Sequence, residues 1–206
     1  ISLNIDGGKI QGTRALWIQL ANSNSSVAPN VEVNISDGEI RATGETSGYI
    51  QALYSYSYGN DMKNVEINIY GGTFYGDINL TGGSNQTNIE TLNISGGIFN
   101  GNEYDINSYG ADEKAVGAIS ITGGTFSKND AEKYALDNGY VFVQNQDGKY
   151  ELEEFDGFEI PNLDRLIAFR NAVNAGNTFA GQTVTVTADI NMESVENWTP
   201  IGTLEN

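Results

Sequence analysis

The chain has 206 residues, enough for one sizeable domain or two small ones. Its 10 Lys and Arg stand against 27 Asp and Glu, a formal net charge of −17; such a surface repels phosphate backbones and anionic lipid, which argues against nucleic-acid binding and electrostatic membrane docking. Cysteine and histidine are both absent, which removes disulfides, thiol nucleophiles, zinc–thiolate sites, Ser-His-Asp triads and histidine metal ligands from the available chemistry.

No run of about 18 apolar residues occurs, so no membrane insertion is expected. Nothing reads as a signal peptide. Ile1-Ser2-Leu3-Asn4-Ile5 begins directly in a strand pattern without a start methionine, as expected of a mature piece or of a segment cut from a longer chain. The 25 glycines with only 3 prolines, amid abundant Asn, Ser and Thr, point to many short strands and turns.

Five segments share one octapeptide pattern: LNIDGGKI (3–10), VNISDGEI (33–40), INIYGGTF (67–74), LNISGGIF (92–99) and ISITGGTF (119–126). The second glycine, or its counterpart, recurs after 30, 34, 25 and 27 residues. Apolar–polar–apolar alternation marks a half-buried strand, and glycine permits the corner that follows. The Ile or Phe after the corner then starts the next strand and points back inside. A unit of this length cannot bury its apolar side alone, whereas stacked units can. The expectation is a parallel β-helix of about five coils over residues 1–126, spaced at roughly 4.8 Å and so about 24 Å long.

The predicted interior holds Leu3, Val33, Ile67, Leu92 and Ile119; then Ile5, Ile35, Ile69, Ile94 and Ile121; then Ile10, Ile40, Phe74, Phe99 and Phe126. Asn4, Asn34, Asn68, Asn93 and Ser120 form an outward column, read as a solvated face with amides bonding along the stack in preference to a binding strip. Lys9 and Glu39 share a repeat position in neighbouring coils and are placed to pair. An antiparallel sandwich is the competing fold, disfavoured because it has no need of one octapeptide five times.

The stretches 15–20 (ALWIQL) and 52–57 (ALYSYS) align, with Leu16 over Leu53 and Trp17 over Tyr54. With the leucines inside, Trp17, Tyr54, Tyr56 and Tyr58 face out as a flat strip suited to the apolar faces of sugar rings. In the opposite phase the rings fill the core and Leu16, Ile18 and Leu20 meet water. A third arrangement covers the outward rings with a loop or a neighbouring molecule.

Residues 127–154 read as a lid over the last coil. Asn129 or Asp130 is placed to cap a short helix and Gly139 to end it. Asp147-Gly148 then joins two alternating strands as a hairpin. From 155 to 206 the pattern changes: Leu163, Leu166, Phe169, Arg170 and Val173 lie at helical spacing, with Asn162 as N-cap and Gly176 as stop. A strand is predicted over 183–190, before the WTPIG segment at 198–202.

The octapeptide array resembles the right-handed parallel β-helices, pectin-lyase-like in fold, of secreted and cell-surface bacterial proteins that carry ISGGTF-type repeats. Residues 155–206 likewise resemble the plugging helix and first coil of a second such block. The resemblance implies an all-β solenoid with a helix-plus-hairpin C-terminal cap, the start of a second β-helix block, and an extracellular or cell-surface bacterial location. It does not choose between enzymes and stalks.

Pectin hydrolases of that fold use a His-Gly motif, which this chain lacks. Calcium-dependent lyases need clustered carboxylates beside an Arg or Lys base. The candidates here are Asp6, Asp37, Asp61, Asp77, Asp105 and Asp112 with Arg14, Arg41 or Lys63, but they fall at separate corners where Asp serves turns. No catalytic residue, metal or cofactor is therefore assigned. The expected function is a non-enzymatic stalk or adhesin whose partners are glycans or surface proteins, with Trp17, Tyr54, Tyr56 and Tyr58 as the sugar-facing set. The alternative is a fragment of a carbohydrate-active enzyme whose catalytic coils lie elsewhere.

Overall fold

The computed structural model describes residues 1–21, 30–45, 50–58, 65–81, 90–109, 119–136, 138–155, 159–174, 176, 178–193, 195 and 197–202. The repeat region winds as a β-solenoid of about five turns. Its strands are β1 (Ser2–Gly12), β2 (Arg14–Ala21), β3 (Val31–Ala42), β4 (Gln51–Tyr58), β5 (Val65–Ile69), β6 (Thr73–Tyr75), β7 (Asp77–Thr81), β8 (Glu90–Ile94), β9 (Ile98–Asn100), β10 (Ile106–Tyr109), β11 (Ile119–Ile121) and β12 (Thr125–Phe126).

Every pairing between successive coils is parallel, which removes the antiparallel sandwich. One face stacks the first half of β1, the first half of β3, then β5, β8 and β11. A second face stacks the other halves of β1 and β3 with β6, β9 and β12. The third face is the four-stranded sheet β2, β4, β7, β10. In the first two coils a single strand runs through the corner, whereas in the later coils the corner divides the strand in two.

The two corner glycines serve different needs. The second is conformational: Gly38, Gly72, Gly97 and Gly124 have φ of 112°, 91°, 109° and 115°, a region that L side chains rarely adopt. The first is steric. A Cβ on Gly71, Gly96 or Gly123 would collide with the carbonyl oxygen of Ser36, Tyr70 or Ser95 in the coil before. Asp37 holds that first position in the second coil, where β1 bulges beneath it, and its Oδ1 accepts from the Gly38 N–H at 2.7 Å.

The interior follows the predicted columns. Val33, Ile67, Leu92, Ile35, Ile69, Ile94, Ile121 and Ile40 are buried, and Ile119 nearly so. Phe74, Phe99 and Phe126 stack ring on ring at 5.1 and 4.7 Å. Leu3 and Ile10, both in the first coil, are the departures: Leu3 is 41% exposed and Ile10 half-buried. Inside the third face, buried Ser55 donates to the buried Glu90 Oε1 at 3.0 Å.

Beyond β12 come α1 (Glu132–Leu136), the antiparallel hairpin β13 (Tyr140–Gln144) and β14 (Tyr150–Glu154), β15 (Glu159–Ile160), α2 (Leu163–Asn174) and β16 (Thr185–Val186). β14 pairs antiparallel with β12, and Phe142 lies over Phe126 at 4.7 Å. The hairpin turn is held by Asn145, whose Oδ1 accepts from the N–H groups of Asp147 and Lys149.

Neither expected residue caps α1 with its side chain: the Asn129 carbonyl takes the Glu132 N–H, and Asp130 points elsewhere. Asn162 does cap α2, its Oδ1 accepting from the Arg165 N–H at 2.9 Å, and Gly176 follows at φ 100°. The residues of α2 that are fully buried are Ala168 and Ala172, against Val141, while the predicted Leu/Phe/Val positions described on it are half-buried. Two small residues four apart let the helix approach the hairpin closely. The strand predicted over 183–190 shortens to β16, which pairs in parallel with β15.

Candidate functional site: an outward aromatic strip

β2 and β4 lie side by side in parallel on the third face, with Leu16 opposite Leu53, Trp17 opposite Tyr54, and Gln19 opposite Tyr56. Leu53 and Ser55 are fully buried and Ile18 nearly so, which turns the intervening rings outward. Trp17 is 52% exposed, and Tyr54 and Tyr56 are half-buried. The leucine-in phase is therefore the one adopted. The side chains of Leu20 and Tyr58 lie outside the described residues, although the backbone of Tyr58 closes β4.

Trp17 and Tyr54 meet edge to face, centroids 5.9 Å apart and planes at 61°. Tyr54 and Tyr56 are nearly coplanar in orientation, 7° apart, with centroids at 6.2 Å. Both spacings fall where aromatic pairs attract through their quadrupoles. A cation completes the strip: the Arg14 guanidinium carbon sits 4.9 Å from the Trp17 ring centre and 4.3 Å from that of Tyr54. Sequence reasoning placed Arg14 only among candidate bases. Its position at the start of the strand that carries Trp17 was the available signal.

Further along the rod the same outward positions turn from aromatic to amide. Tyr54 stands opposite Asn79, and Asn79 opposite Asn107. The Asn79 Oδ1 and the Asn107 Nδ2 are buried and have no hydrogen-bond partner among the described residues. Such groups are costly to leave unpaired, and neither atom is open to solvent.

The asparagine column on the opposite face is a ladder. Asn34 Nδ2 donates to Asn4 Oδ1 at 3.0 Å, Asn68 to Asn34 at 3.1 Å, and Asn93 to Asn68 at 2.8 Å. Beside it runs a polar groove of about 290 Å³ lined by Asn30, Val31, Glu32, Val65, Glu66 and Thr91. Its carboxylates are already engaged, Glu32 by Asn34 and Glu66 by Asn68.

The candidate acids serve the backbone. Asp77 Oδ1 accepts the N–H groups of Asn102, Glu103 and Tyr104 in the next coil. Asp105 accepts from Gly101 N, Ser127 Oγ and Lys128 N at 2.6–2.7 Å. Asp130 reaches back to the N–H groups of Asp105 and Ile106. Burial raises the Asp105 carboxyl above its ordinary value, opposed by the bonds from Ser127, Gly101 and Lys128 and reinforced by Asp130.

Asp6 accepts from Ser36 Oγ at 2.7 Å. Arg41 pairs with Glu39 at 2.7 Å, and Lys9 joins the same carboxylate at 2.9 Å, as their shared repeat position predicted. Together these cations pull Glu39 down to about 2. Asp61, Lys63 and Asp112 lie outside the described residues. Among the described residues no group of three or more acids converges to hold a metal ion, and no helix is long and apolar enough to cross a membrane.

No family model, curated protein or solved structure matches this chain.

Proposed function

We propose that the chain is a non-enzymatic module of an extracellular bacterial surface protein, a stiff spacer that binds glycans through Trp17, Tyr54 and Tyr56. The observation that carries this reading is the half-open ring strip itself. A solenoid needs nothing aromatic on its outer wall, yet here three rings and a guanidinium are held in fixed mutual geometry by two paired strands. Sugar rings present apolar faces that stack on such platforms.

The chain has two tryptophans, so a Trp198→Phe background leaves Trp17 as the only indole reporter. Titration of that protein with a panel of bacterial, host and plant polysaccharides should give a saturable change in Trp17 emission with at least one glycan. Tyr54→Ala should weaken that response by about tenfold, in line with the loss of one stacked ring. A flat titration with every glycan overturns the proposal.

A further inference from the structure

Lys149 and Asn100 stand 49 positions apart, yet the Lys149 ammonium donates to the Asn100 Oδ1 at 3.0 Å. Strand register brings them together. Phe126 of β12 pairs with Phe99 of β9 on one side and with Tyr150 of β14 on the other. The ladder continues past β12, for the Ser127 N–H donates to the Phe99 carbonyl at 3.0 Å. The next row across these three strands is therefore Asn100, Ser127 and Lys149. Phe99 and Phe126 are buried, so this row faces out, and all three of its residues are half-buried.

The carboxamide is fixed at both ends. Its Oδ1 takes the ammonium, which draws electron density from Cγ, and its Nδ2 donates to the Phe74 carbonyl at 3.3 Å. A proton acceptor adjoins the row. Ser127 Oγ donates to the Asp105 Oδ1 at 2.7 Å, and the same oxygen accepts from the Gly101 N–H, next to Asn100, at 2.6 Å. Asp105 is 1% exposed, and burial raises its affinity for a proton. Lys128, the second lysine at this corner, points its ammonium at the Gly101 carbonyl (2.6 Å) and the Ser127 Oγ (3.4 Å) instead of a carboxamide.

We propose that Lys149 and Asn100 are a cross-linking pair, which the chain joins by an amide bond between Nζ and Cγ with loss of ammonia. One ammonium proton passes through Ser127 Oγ to Asp105, which frees the Nζ lone pair. That pair forms the new bond to Cγ, a second proton moves from Nζ to Nδ2, and the Cγ–Nδ2 bond breaks. Asp105 returns its proton to the departing ammonia, so the step starts with one ammonium and ends with one and needs no further reactant. The hydrogen bond holds amine and carboxamide together in advance, the part of the barrier that proximity removes. The bond closes a loop over β10, β11, β12, α1 and β13 and ties the cap to the fourth coil. A cross-link over so long a loop restricts the unfolded chain, in a protein that has no cysteine to do the same. This inference does not depend on sugar binding by the aromatic strip.

The test is mass spectrometry of the full chain, purified and then held at neutral pH. The intact protein should become lighter than its sequence by one ammonia. Protease digestion should yield a branched peptide in which Lys149 carries the segment around Asn100. Lys149→Arg and Asn100→Ala should each keep the full mass and lack the branched peptide. Ser127→Ala should slow the mass loss by about a hundredfold, within the range of general acid–base catalysis. A wild-type chain that keeps its full mass after prolonged incubation overturns the proposal. So does an ammonia loss that persists in Lys149→Arg, because it marks ring closure at Asn100-Gly101 in place of a cross-link.

Discussion

Phe99 and Phe126 stack with ring centroids 4.7 Å apart and planes 13° apart, although 27 residues separate them in the chain. With Phe74 on one side and Phe142 on the other, they form a continuous aromatic spine that runs out of the coils and into the hairpin. Phe99 stands in the middle of this spine and is 1% exposed. Phe99→Ala should therefore cost about 3–5 kcal/mol, the range for emptying a buried aromatic site. Urea unfolding read by circular dichroism measures it.

The steric glycines give a sharper test. Gly96→Ala places a methyl group against the Tyr70 carbonyl, which is backbone and cannot swing aside. The expected loss is on the order of 1–3 kcal/mol, as for other overpacked interiors. Gly148→Ala, at the hairpin turn, meets only the end of the Gln144 side chain at 3.8 Å and carries a positive φ of 76°. It should lose about 1 kcal/mol from backbone strain alone. A thermal unfolding series that ranks the two the other way would contradict the account of the corner.

The two faces of the third sheet should separate cleanly. Leu53→Ala removes a fully buried side chain and should cost about 2–5 kcal/mol. Trp17→Ala removes a ring already half in water and should change stability by less than about 1 kcal/mol beyond its aromatic contact. Denaturation midpoints of the two variants, measured side by side, check the strand phase independently of any ligand.

The octapeptide strands were legible because period-two alternation and a recurring glycine corner leave one consistent way to stack them, and Ile35 over Ile69 follows from it. The phase of β2 and β4 was open in the sequence, because Leu and Tyr alternate there and either set could fill a core; the burial of Leu53 and Ser55 decides it. Asp130 was misread for a different reason. One residue from a short helix, it has the local form of an N-cap, but the unpaired N–H groups of Asp105 and Ile106 in the neighbouring coil claim its carboxylate instead. A contact across 24 or 25 positions leaves no local trace. Arg14 over Trp17 and Tyr54 escaped in the same way, since one of its two rings lies a full coil later.

Acid should act on Glu39 and Asp105 in opposite senses. Glu39 is held down to about 2 by hydrogen bonds from Arg41 and Lys9, so its contribution is intact above its ordinary value of 4.5 and is lost as the pH falls from there through about 2. Folded Asp105 instead holds its proton more tightly than the unfolded chain does. Its desolvation cost is therefore felt above its raised pKa and relieved as the pH falls toward 3.8. Glu39→Gln should lower a stability–pH curve by a constant amount above about pH 5 and flatten its acid limb between about pH 4.5 and 2. Carboxyl carbon NMR should place the Asp105 midpoint above 3.8; a midpoint at or below that value would contradict its burial.

The parallel pairing of successive coils aims the inter-strand N–H···O bonds along the rod. A pull applied end to end would load those bonds in tension one row at a time, not all together in shear. Each row that parts would release a loop of 25 to 34 residues before the next takes the strain. Under shear flow, such a body gives way in steps and lengthens greatly, dissipating work as it goes, while it stays rigid against sideways bending.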